Sequence, residues 1–328
     1  MMKRLLAATL LMMGSIVSAA DLPMAQTIQA AGPKAPLNGT LQTVVGTASA
    51  TVLIMPGSGP TDRNGNNPLG IKAASYQLLA EALAKAGIAS VRIDKRGLAG
   101  SGGAVDGNAV TMADYVTDTR NWISVIRAKT GARCIWLLGH SEGGLVALLT
   151  AQNPADICGV VLLAAPGRPF GILLKEQLSA NPANAPLLGD ASRTIDRLTS
   201  GKRVDVTGLH PALQQLFAPQ IQGFMIDIFK YDPARLLATA KLPALIVQGQ
   251  QDLQVREQDA KAFKTARPDV QLVLLPDVNH VLKVVPVNDS AANAAAYANP
   301  DLPIAGSLVV AITQFLKGNS GKLGKRLR

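Results

Sequence analysis

The pentapeptide GHSEG at positions 139–143 constrains the fold of this chain more than any other feature. An apolar run, IWLL, precedes it and a second one, LVALL, follows at 145–149, which is the order strand, tight turn, helix. In that setting G-x-S-x-G is typical of a turn that holds a serine hydroxyl clear of the backbone. Glycine is needed on both sides because a side chain would collide across the turn, and the serine must adopt a strained backbone conformation. The pattern therefore predicts that Ser141 is a nucleophile.

A nucleophilic serine needs a general base, and the chain has only three histidines. His140 lies inside the turn, where its side chain is expected to point away from Ser141. His210 opens a Leu- and Gln-rich helical segment and is expected to be exposed. His280 follows the apolar run at 270–275, in the loop after the last long predicted strand. A lone histidine after a strand can be a plain solvated loop residue, but elimination among three favours His280 as the base.

A third side chain is expected to orient His280 and to stabilise its imidazolium form. Asp252 follows the buried strand predicted at 244–249 and precedes His280 by 28 residues. That interval fits one helix at 257–266 and one strand at 270–275. We therefore predict that Asp252 is the acid of a Ser–Asp–His triad.

Two other aspartates lie close to these segments. Asp277, three residues before His280, is the rival candidate for the acid but is expected to shape the turn. Asp259 falls inside the helix predicted at 257–266 and is expected on its solvated face.

An acyl-transfer site also needs donors for the developing oxyanion. One is expected to be the backbone N–H of Glu142, at a helix N-terminus where the helix dipole favours negative charge. The second is expected from the Pro- and Gly-rich loop at 56–60, which follows a strand predicted at 51–55. We assign it to the N–H of Ser58, with Gly59 as the alternative one residue later. An ordinary Pro/Gly turn would explain the same loop without any function.

The segments that carry these residues resemble the α/β-hydrolase superfamily, and more narrowly the bacterial EstD-like serine carboxylesterases. The resemblance covers about residues 40–318. Its matching segments are 56–66, 92–97, 139–144, Asp252 and Asn279-His280. It implies a carboxylic ester hydrolase that cleaves small-molecule esters with short- to medium-chain acyl groups through an acyl-enzyme intermediate.

Two alternatives to a carboxylesterase remain open. A peptidase of the prolyl aminopeptidase kind, or a thioesterase, would use the same triad. A free-amine peptidase would need acidic residues to bind the amino group, and Asp196, Asp205 and Asp227 form no cluster in the sequence. A non-catalytic binding protein on the same fold is the second alternative, but such proteins usually lack a triad member.

Strands and helices alternate over most of the 328 residues. This pattern predicts an α/β fold with a mostly parallel central sheet that helices cover on both faces. We place the core at 21–166 and 241–318, with a helical cap insertion at 167–240 and a basic C-terminal tail at 319–328. The cap is expected to cover Ser141 and to shape the acyl pocket, and most of its apolar side chains are expected to belong to its own core.

Two segments lack a clear period. Residues 21–40 contain Pro and Ala and are expected to lie irregularly on the body of the protein. Residues 289–300 are rich in Ala and Asn and are expected to form a long surface loop before a final helix at 304–316.

The first 20 residues are typical of a secretory signal peptide. Lys3 and Arg4 precede an apolar run at 5–17, and small residues follow at 18–20. The run is too short to span a membrane, so we expect a periplasmic or secreted protein without a transmembrane segment after cleavage. The formal charge of +10 does not indicate a nucleic-acid partner, because no aromatic residues are interleaved with the basic ones. Oligomeric state is left open.

The only two cysteines, Cys134 and Cys158, each stand at the amino end of an apolar strand. Those strands are expected to be neighbours in a parallel sheet, about 4.8 Å apart, which brings the two residues within reach of a disulfide. An oxidising compartment would close such a bond. Two separate buried thiols are the alternative.

No metal and no cofactor are expected. The sequence has no Cys/His cluster typical of zinc and no Gly-rich run with dinucleotide-binding spacing. The pattern Asp62-x-Asn64-x-Asn66 imitates a calcium loop, but it lacks the required glycine and the bidentate glutamate. These residues are therefore expected to form turns.

Overall fold

The apolar runs of the sequence become the strands of one large sheet in the computed structural model of this chain. The structure describes residues 23–104 and 110–326, so the predicted signal peptide at 1–20 lies outside the described residues. The strands are β1 (Ala25–Ala30), β2 (Leu37–Gln42), β3 (Ala50–Met55), β4 (Asn66–Asn67), β5 (Ile71–Lys72), β6 (Ile88–Ile93), β7 (Ile135–His140), β8 (Ile157–Leu163), β9 (Ala244–Gly249) and β10 (Gln271–Leu275). The helices are α1 (Ser75–Lys85), α2 (Met112–Thr130), α3 (Glu142–Ala151), α4 (Phe170–Ser179), α5 (Leu188–Thr199), α6 (Pro211–Leu216), α7 (Gln222–Ile228), α8 (Pro233–Thr239), α9 (Glu257–Ala266), α10 (Ser290–Ala296) and α11 (Gly306–Arg326).

The central sheet has eight strands in the order β1-β2-β6-β3-β7-β8-β9-β10. Among the described residues of this sheet, every neighbouring pair from β6 to β10 is parallel, and the two other pairs, β1–β2 and β2–β6, are antiparallel. The predicted mostly parallel sheet is therefore confirmed. Met55 at the end of β3 is in register with Gly139 of β7, so the loops after these two strands begin side by side.

Helices cover both faces of the sheet. Val52 and Ile54 of β3 pack into the cluster that contains Leu79 of α1 and Ile312 of α11. Leu53, the residue between them, packs on the opposite face, in the cluster that α2, α3 and α9 complete. Successive side chains of a strand point to opposite faces, so a sheet covered on both sides needs uninterrupted apolar strands.

The prediction for residues 21–40 is wrong. This segment contains β1 and the start of β2, which form an antiparallel hairpin at one edge of the sheet. Ile28 and Ala30 of β1 are buried and alternate with exposed Thr27 and Gln29. That period of two is a strand signal, but it spans too few residues to stand out beside Pro and Gly.

Two predictions near the C-terminus also need correction. The run at 289–300 is not a loop throughout, because it contains α10, whose N-cap Asp289 accepts a hydrogen bond from the N–H of Ala292. Alanine has the highest helix propensity, so this short Ala-rich segment forms a helix although its sequence has no obvious amphipathic pattern. The last helix, α11, continues to Arg326 and so includes most of the segment predicted as a separate tail at 319–328.

The segment between β8 and β9, predicted as a cap, is helical and contains α4 to α8. α8 belongs structurally with the core layer: the carbonyl of Leu236 accepts a hydrogen bond from Gln152 Nε2 at the end of α3. Helices α4, α6 and α7 instead contribute side chains to the cavity above the sheet. Within the two described ranges, no helix has the length and hydropathy that a membrane crossing requires.

Candidate active site

Ser141 lies in the turn between β7 and α3 with φ 52° and ψ −122°, a conformation that L-residues adopt only under strain. The turn needs its glycines for steric reasons. A Cβ on Gly139 would lie 2.2 Å from the carbonyl oxygen of Gly143, and a Cβ on Gly143 would lie 2.4 Å from the carbonyl oxygen of Met55. The predicted strained serine turn is therefore present, and Ser141 lines a large cavity.

His280 and Asp252 meet as the sequence spacing predicted. The Nδ1–H of His280 donates to Asp252 Oδ2 over 2.8 Å, and the Asp252 side chain is fully buried. The other carboxylate oxygen, Oδ1, accepts from the backbone N–H groups of Gln254 at 2.8 Å and Val255 at 2.9 Å. These bonds fix the carboxylate, so it can hold the imidazole ring in one orientation and one tautomer.

The remaining candidates from the sequence are placed elsewhere. His210 is the N-cap of α6, where its Nδ1 accepts from the N–H of Ala212, and it is exposed as expected. Asp277 does not replace Asp252, since the Nδ1 of His280 bonds to Asp252. The backbone carbonyl of Asp277 accepts from the N–H of Val285, which is consistent with a turn-shaping role.

The prediction for Asp259 is wrong. Its side chain is fully buried, and it accepts hydrogen bonds from the Nε and guanidinium N–H groups of Arg168 and from the N–H of Gly167. Arg168 also makes a two-pronged contact with Glu176 of α4, at 2.6 and 2.7 Å. The start of the cap thus lies over this position of α9, which periodicity within α9 could not show.

His140 has a role that the sequence did not predict. Its Nε2–H donates to the backbone carbonyl of His280 over 2.8 Å, and its Nδ1 lies 2.8 Å from the hydroxyl of Tyr76. Burial and the nearby His280 ring lower the pKa of His140 to about 3, so the ring is neutral and Nδ1 accepts the Tyr76 hydroxyl proton. The same hydroxyl accepts from the N–H of Gly57. His140 therefore connects the loop after β3 with the loop that carries His280.

Lys95 lies beside both predicted oxyanion donors. Its ammonium donates to the carbonyl of Gly57 over 2.8 Å and to Glu142 Oε1 over 3.2 Å. The side chains of Lys95 and Glu142 are only 7% and 3% exposed, so this ion pair is nearly dry. Ser58 and Glu142 both line the cavity together with Ser141.

The polar residues of the loop after β3 have structural roles. Asp62 Oδ1 accepts from the N–H groups of Asn64 and Asn66, so these residues form a turn, as predicted. Arg63 binds Asp94 through Nε and a terminal nitrogen, at 2.9 and 2.5 Å. These contacts hold the loop after β3 against the loop after β6.

The cavity has a volume of about 770 Å³ and reaches from the serine turn to the cap. Its polar floor includes Ser58, Ser141, His280 and Tyr297. Its cap side is apolar except for Gln177, and its apolar residues are Phe170, Leu173, Leu174, Leu216, Ile221, Phe224, Met225, Ile228 and Phe229. The apolar side chains of the cap thus face the site as well as one another. From the sequence alone, most of them are expected in the core of the cap.

Within the described parts of the chain, no group of His, Cys, Asp and Glu side chains is arranged to hold a metal ion. Cys134 and Cys158 lie with their sulfur atoms at bonding distance and their Cα atoms 5.2 Å apart. Cys134 precedes β7 and Ser141 follows it, so the pair and the serine lie at opposite ends of that strand.

Comparison with known proteins places this geometry in context. A family model described as "Serine aminopeptidase, S33" matches residues 69–284. Esterase EstD of Thermotoga maritima is 26% identical over 239 residues, an alignment that covers 70% of this chain and 54% of that protein. The chain therefore spans about half the length of this relative.

Solved structures support the fold. The proline iminopeptidase of Mycobacterium smegmatis has a TM-score of 0.58 and 13% identity, over 91% of this chain and 100% of that one. A thermophilic esterase of Thermogutta terrifontis has a TM-score of 0.56 and 18% identity, over 90% of this chain and 100% of that one. Likeness at this level of identity confirms the predicted α/β-hydrolase fold and leaves the reaction to be argued from the site.

Proposed function

Because the chain belongs to the hydrolase family described as serine aminopeptidase, S33, we propose that it is a serine hydrolase of the carboxylesterase type. The proposed substrates are small-molecule esters with short- to medium-chain acyl groups. Ser141 is the proposed nucleophile, His280 the general base and Asp252 its orienting acid. The N–H groups of Ser58 and Glu142 are the proposed oxyanion donors.

In the acylation step, the hydroxyl oxygen of Ser141 forms a bond to the ester carbonyl carbon while Nε2 of His280 takes the hydroxyl proton. The carbonyl π electrons move to oxygen, and the two N–H groups stabilise the resulting oxyanion. When the carbonyl re-forms, the bond to the alcohol oxygen breaks and His280 returns its proton to that oxygen. Asp252, bonded to Nδ1 at 2.8 Å, stabilises the transient imidazolium.

In the deacylation step, water takes the place of the alcohol. His280 accepts a proton from the water, and the oxygen attacks the acyl carbon of the enzyme ester. Collapse of the second tetrahedral intermediate releases the carboxylic acid and returns the proton to Ser141. The cycle consumes one water and one ester and yields one alcohol and one acid, with no redox change.

The residues that line the cavity are the observation that favours esters, rather than peptides with a free amino terminus, as the substrates. An aminopeptidase needs a carboxylate free to bind the substrate ammonium group. Glu142 is the only acidic side chain among the described residues of the lining, and Lys95 already pairs with it. The apolar cap wall instead fits an acyl chain, which gains about 25 cal/mol for each Å² removed from water.

A substrate panel tests this proposal. We would measure kcat/KM for p-nitrophenyl esters with acyl chains of two to sixteen carbons and for an aminoacyl p-nitroanilide, with wild type and Ser141→Ala. We expect wild type to favour the esters and Ser141→Ala to lose at least about a thousandfold in kcat. Faster cleavage of the aminoacyl amide would favour the aminopeptidase alternative, and an active Ser141→Ala would refute the nucleophile.

We also propose that the protein is exported. The basic start, apolar run and small residues within positions 1–20 support a signal peptide. A bond between Cys134 and Cys158 would form readily in an oxidising compartment, since the two side chains already meet. Fractionation of the native host, with detection of the mature N-terminus by mass spectrometry, tests the location.

A further inference from the structure

Both polar backbone groups of Gly57, the residue before Ser58, are held by buried side chains. The carbonyl of Gly57 accepts from Lys95 Nζ at 2.8 Å, and the N–H of Gly57 donates to the hydroxyl of Tyr76 at 3.0 Å. Gly57 also lies against the nucleophile, because a Cβ placed on it would be 3.1 Å from the Cβ of Ser141. The loop after β3 is therefore fixed at the residue that precedes the proposed oxyanion donor.

Because the peptide group is rigid, the contact of Lys95 with the Gly57 carbonyl also affects the N–H of Ser58. In a planar trans peptide the C=O of one residue and the N–H of the next point in opposite directions. The described chain contains no cis peptide bond. Because Lys95 holds the carbonyl of Gly57, it also fixes the direction of the N–H of Ser58.

The same ammonium group acts on the second donor. Glu142 supplies the other N–H, and its buried carboxylate lies 3.2 Å from Lys95 Nζ. An unpaired carboxylate at this place would oppose negative charge on the reacting oxygen, since charges interact strongly where water is excluded. The ring of Tyr115, whose centroid is 5.6 Å from Nζ, closes the remaining side of the ammonium group.

We propose that Lys95 is a positioning residue of the oxyanion hole, which aims the N–H of Ser58 through the Gly57 carbonyl and neutralises Glu142 beside the second donor. The inference rests on the proposed function above. The inference gives Lys95 a role in the reaction that is separate from those of the triad and of the two N–H donors.

The test compares Lys95→Met with the double variant Lys95→Met/Glu142→Gln. The double variant removes both buried charges, so it avoids the uncompensated carboxylate that could unfold the single variant. Lys264→Met is the matched control, because Lys264 also donates to backbone carbonyls, those of Pro268 and Val270, but does not line the cavity. Circular dichroism checks the fold of each variant.

We expect kcat of the double variant to fall by about 10- to 100-fold with KM changed less than about threefold, since loss of one oxyanion donor costs about 10²- to 10³-fold. The inhibition constant of a trifluoromethyl ketone, whose adduct with Ser141 carries an oxyanion, should rise by the same factor. Lys264→Met should stay within about twofold of wild type in both measurements.

Two outcomes would overturn the inference. In the first, the double variant matches wild type, which would mean that Lys95 only neutralises Glu142. In the second, KM rises while the ketone binds unchanged, which would mean that Lys95 contacts the substrate in the ground state. Ser141→Ala separates these outcomes from a failure of the proposed function, because an active Ser141→Ala would refute the serine mechanism itself.

Discussion

Tyr76 and His140 meet with 2.8 Å between the phenolic oxygen and Nδ1, and through this contact the loop of the proposed oxyanion donor is joined to the loop of the proposed base. Each residue makes a further hydrogen bond. The hydroxyl of Tyr76 accepts from the N–H of Gly57, and the Nε2–H of His140 donates to the carbonyl of His280. Since all these groups are buried, the two halves of the site are held in one fixed relation.

Tyr76→Phe should loosen this relation. The variant keeps the ring but leaves the Gly57 N–H and the His140 Nδ1 without their partner, which costs about 1–3 kcal/mol of unfolding free energy. We expect kcat to fall about tenfold as the loop after β3 gains freedom. Urea unfolding and steady-state kinetics measure the two effects. Tyr231→Phe, in the cap and outside the cavity lining, is the control and should change neither.

Acid should destabilise the protein through His140. The folded-state pKa of His140 is lowered to about 3 by burial and by His280, whereas an unfolded histidine titrates near 6.5. The unfolded chain therefore binds more protons between these values, so the free energy of unfolding falls as pH decreases from about 6.5 towards 3, by up to about 1.4 kcal/mol per pH unit.

Replacement of His140 by glutamine isolates this contribution. Glutamine retains a donor and an acceptor but does not titrate, so His140→Gln should show a weaker loss of stability between pH 6.5 and 4 than wild type. Urea unfolding at several pH values measures it. The control is His210→Gln, at an exposed position, which should reproduce the wild-type dependence. Equal pH dependence in wild type and His140→Gln would contradict the assignment.

Separate substitution of the two other histidines, His280 and His210, tests which of them is the general base. His280→Gln should reduce kcat/KM by at least about a thousandfold, because the nucleophile loses its proton acceptor. His210→Gln should retain wild-type kcat/KM, since its ring only caps α6. The reverse pattern would reassign the base.

A change in the cap should alter chain-length preference. Leu216→Trp adds volume to the apolar wall of the cavity, so the optimum acyl length should shift to shorter chains while two-carbon esters are cleaved at near wild-type rate. Leu187→Trp, in the cap but outside the lining, should keep the wild-type profile. An unchanged optimum in Leu216→Trp would show that this wall does not contact the acyl chain.

The cysteine pair should affect stability and not turnover. The two residues enclose a loop with a sequence separation of 24, for which the chain-entropy model gives about 3.5 kcal/mol of stabilisation. Cys134→Ser/Cys158→Ser should lose an amount of this order in urea unfolding, with kcat unchanged because Ser141 follows the opposite end of β7. Alkylation and mass spectrometry of unreduced exported protein should find no free thiol.

The sequence predicted those features that short segments determine. The strand at 244–249 and the helix at 257–266 have the bounds that were predicted, because each is a short continuous segment with clear ends. The contact between Asp252 and His280 followed from chain order and spacing, since adjacent strands of a parallel sheet bring their carboxyl ends together.

Features that depend on packing between distant segments were missed. Asp259 has the polarity and helical position of a surface residue, and only the arrival of Arg168 from the cap explains its burial. The contacts of Lys95 likewise could not be predicted, because its partners Gly57 and Glu142 are 38 and 47 residues away in the chain. A search for polar residues inside motifs that have no role in the reaction would have singled out His140 and Lys95.

The contact of Arg168 with Asp259 determines how the cap and the core can separate. If the cap detached at this point, the fully buried carboxylate of Asp259 in α9 would lose Arg168, its cationic partner. An unpaired charge is costly in free energy where water is excluded. Asp259 is fully buried and Arg168 is 22% exposed, so salt weakens this ion pair less than it weakens a fully exposed one. We therefore expect the first cap helix to remain attached throughout turnover, so that substrate entry depends on motion of the later cap helices and heat disrupts cap and core in one cooperative transition.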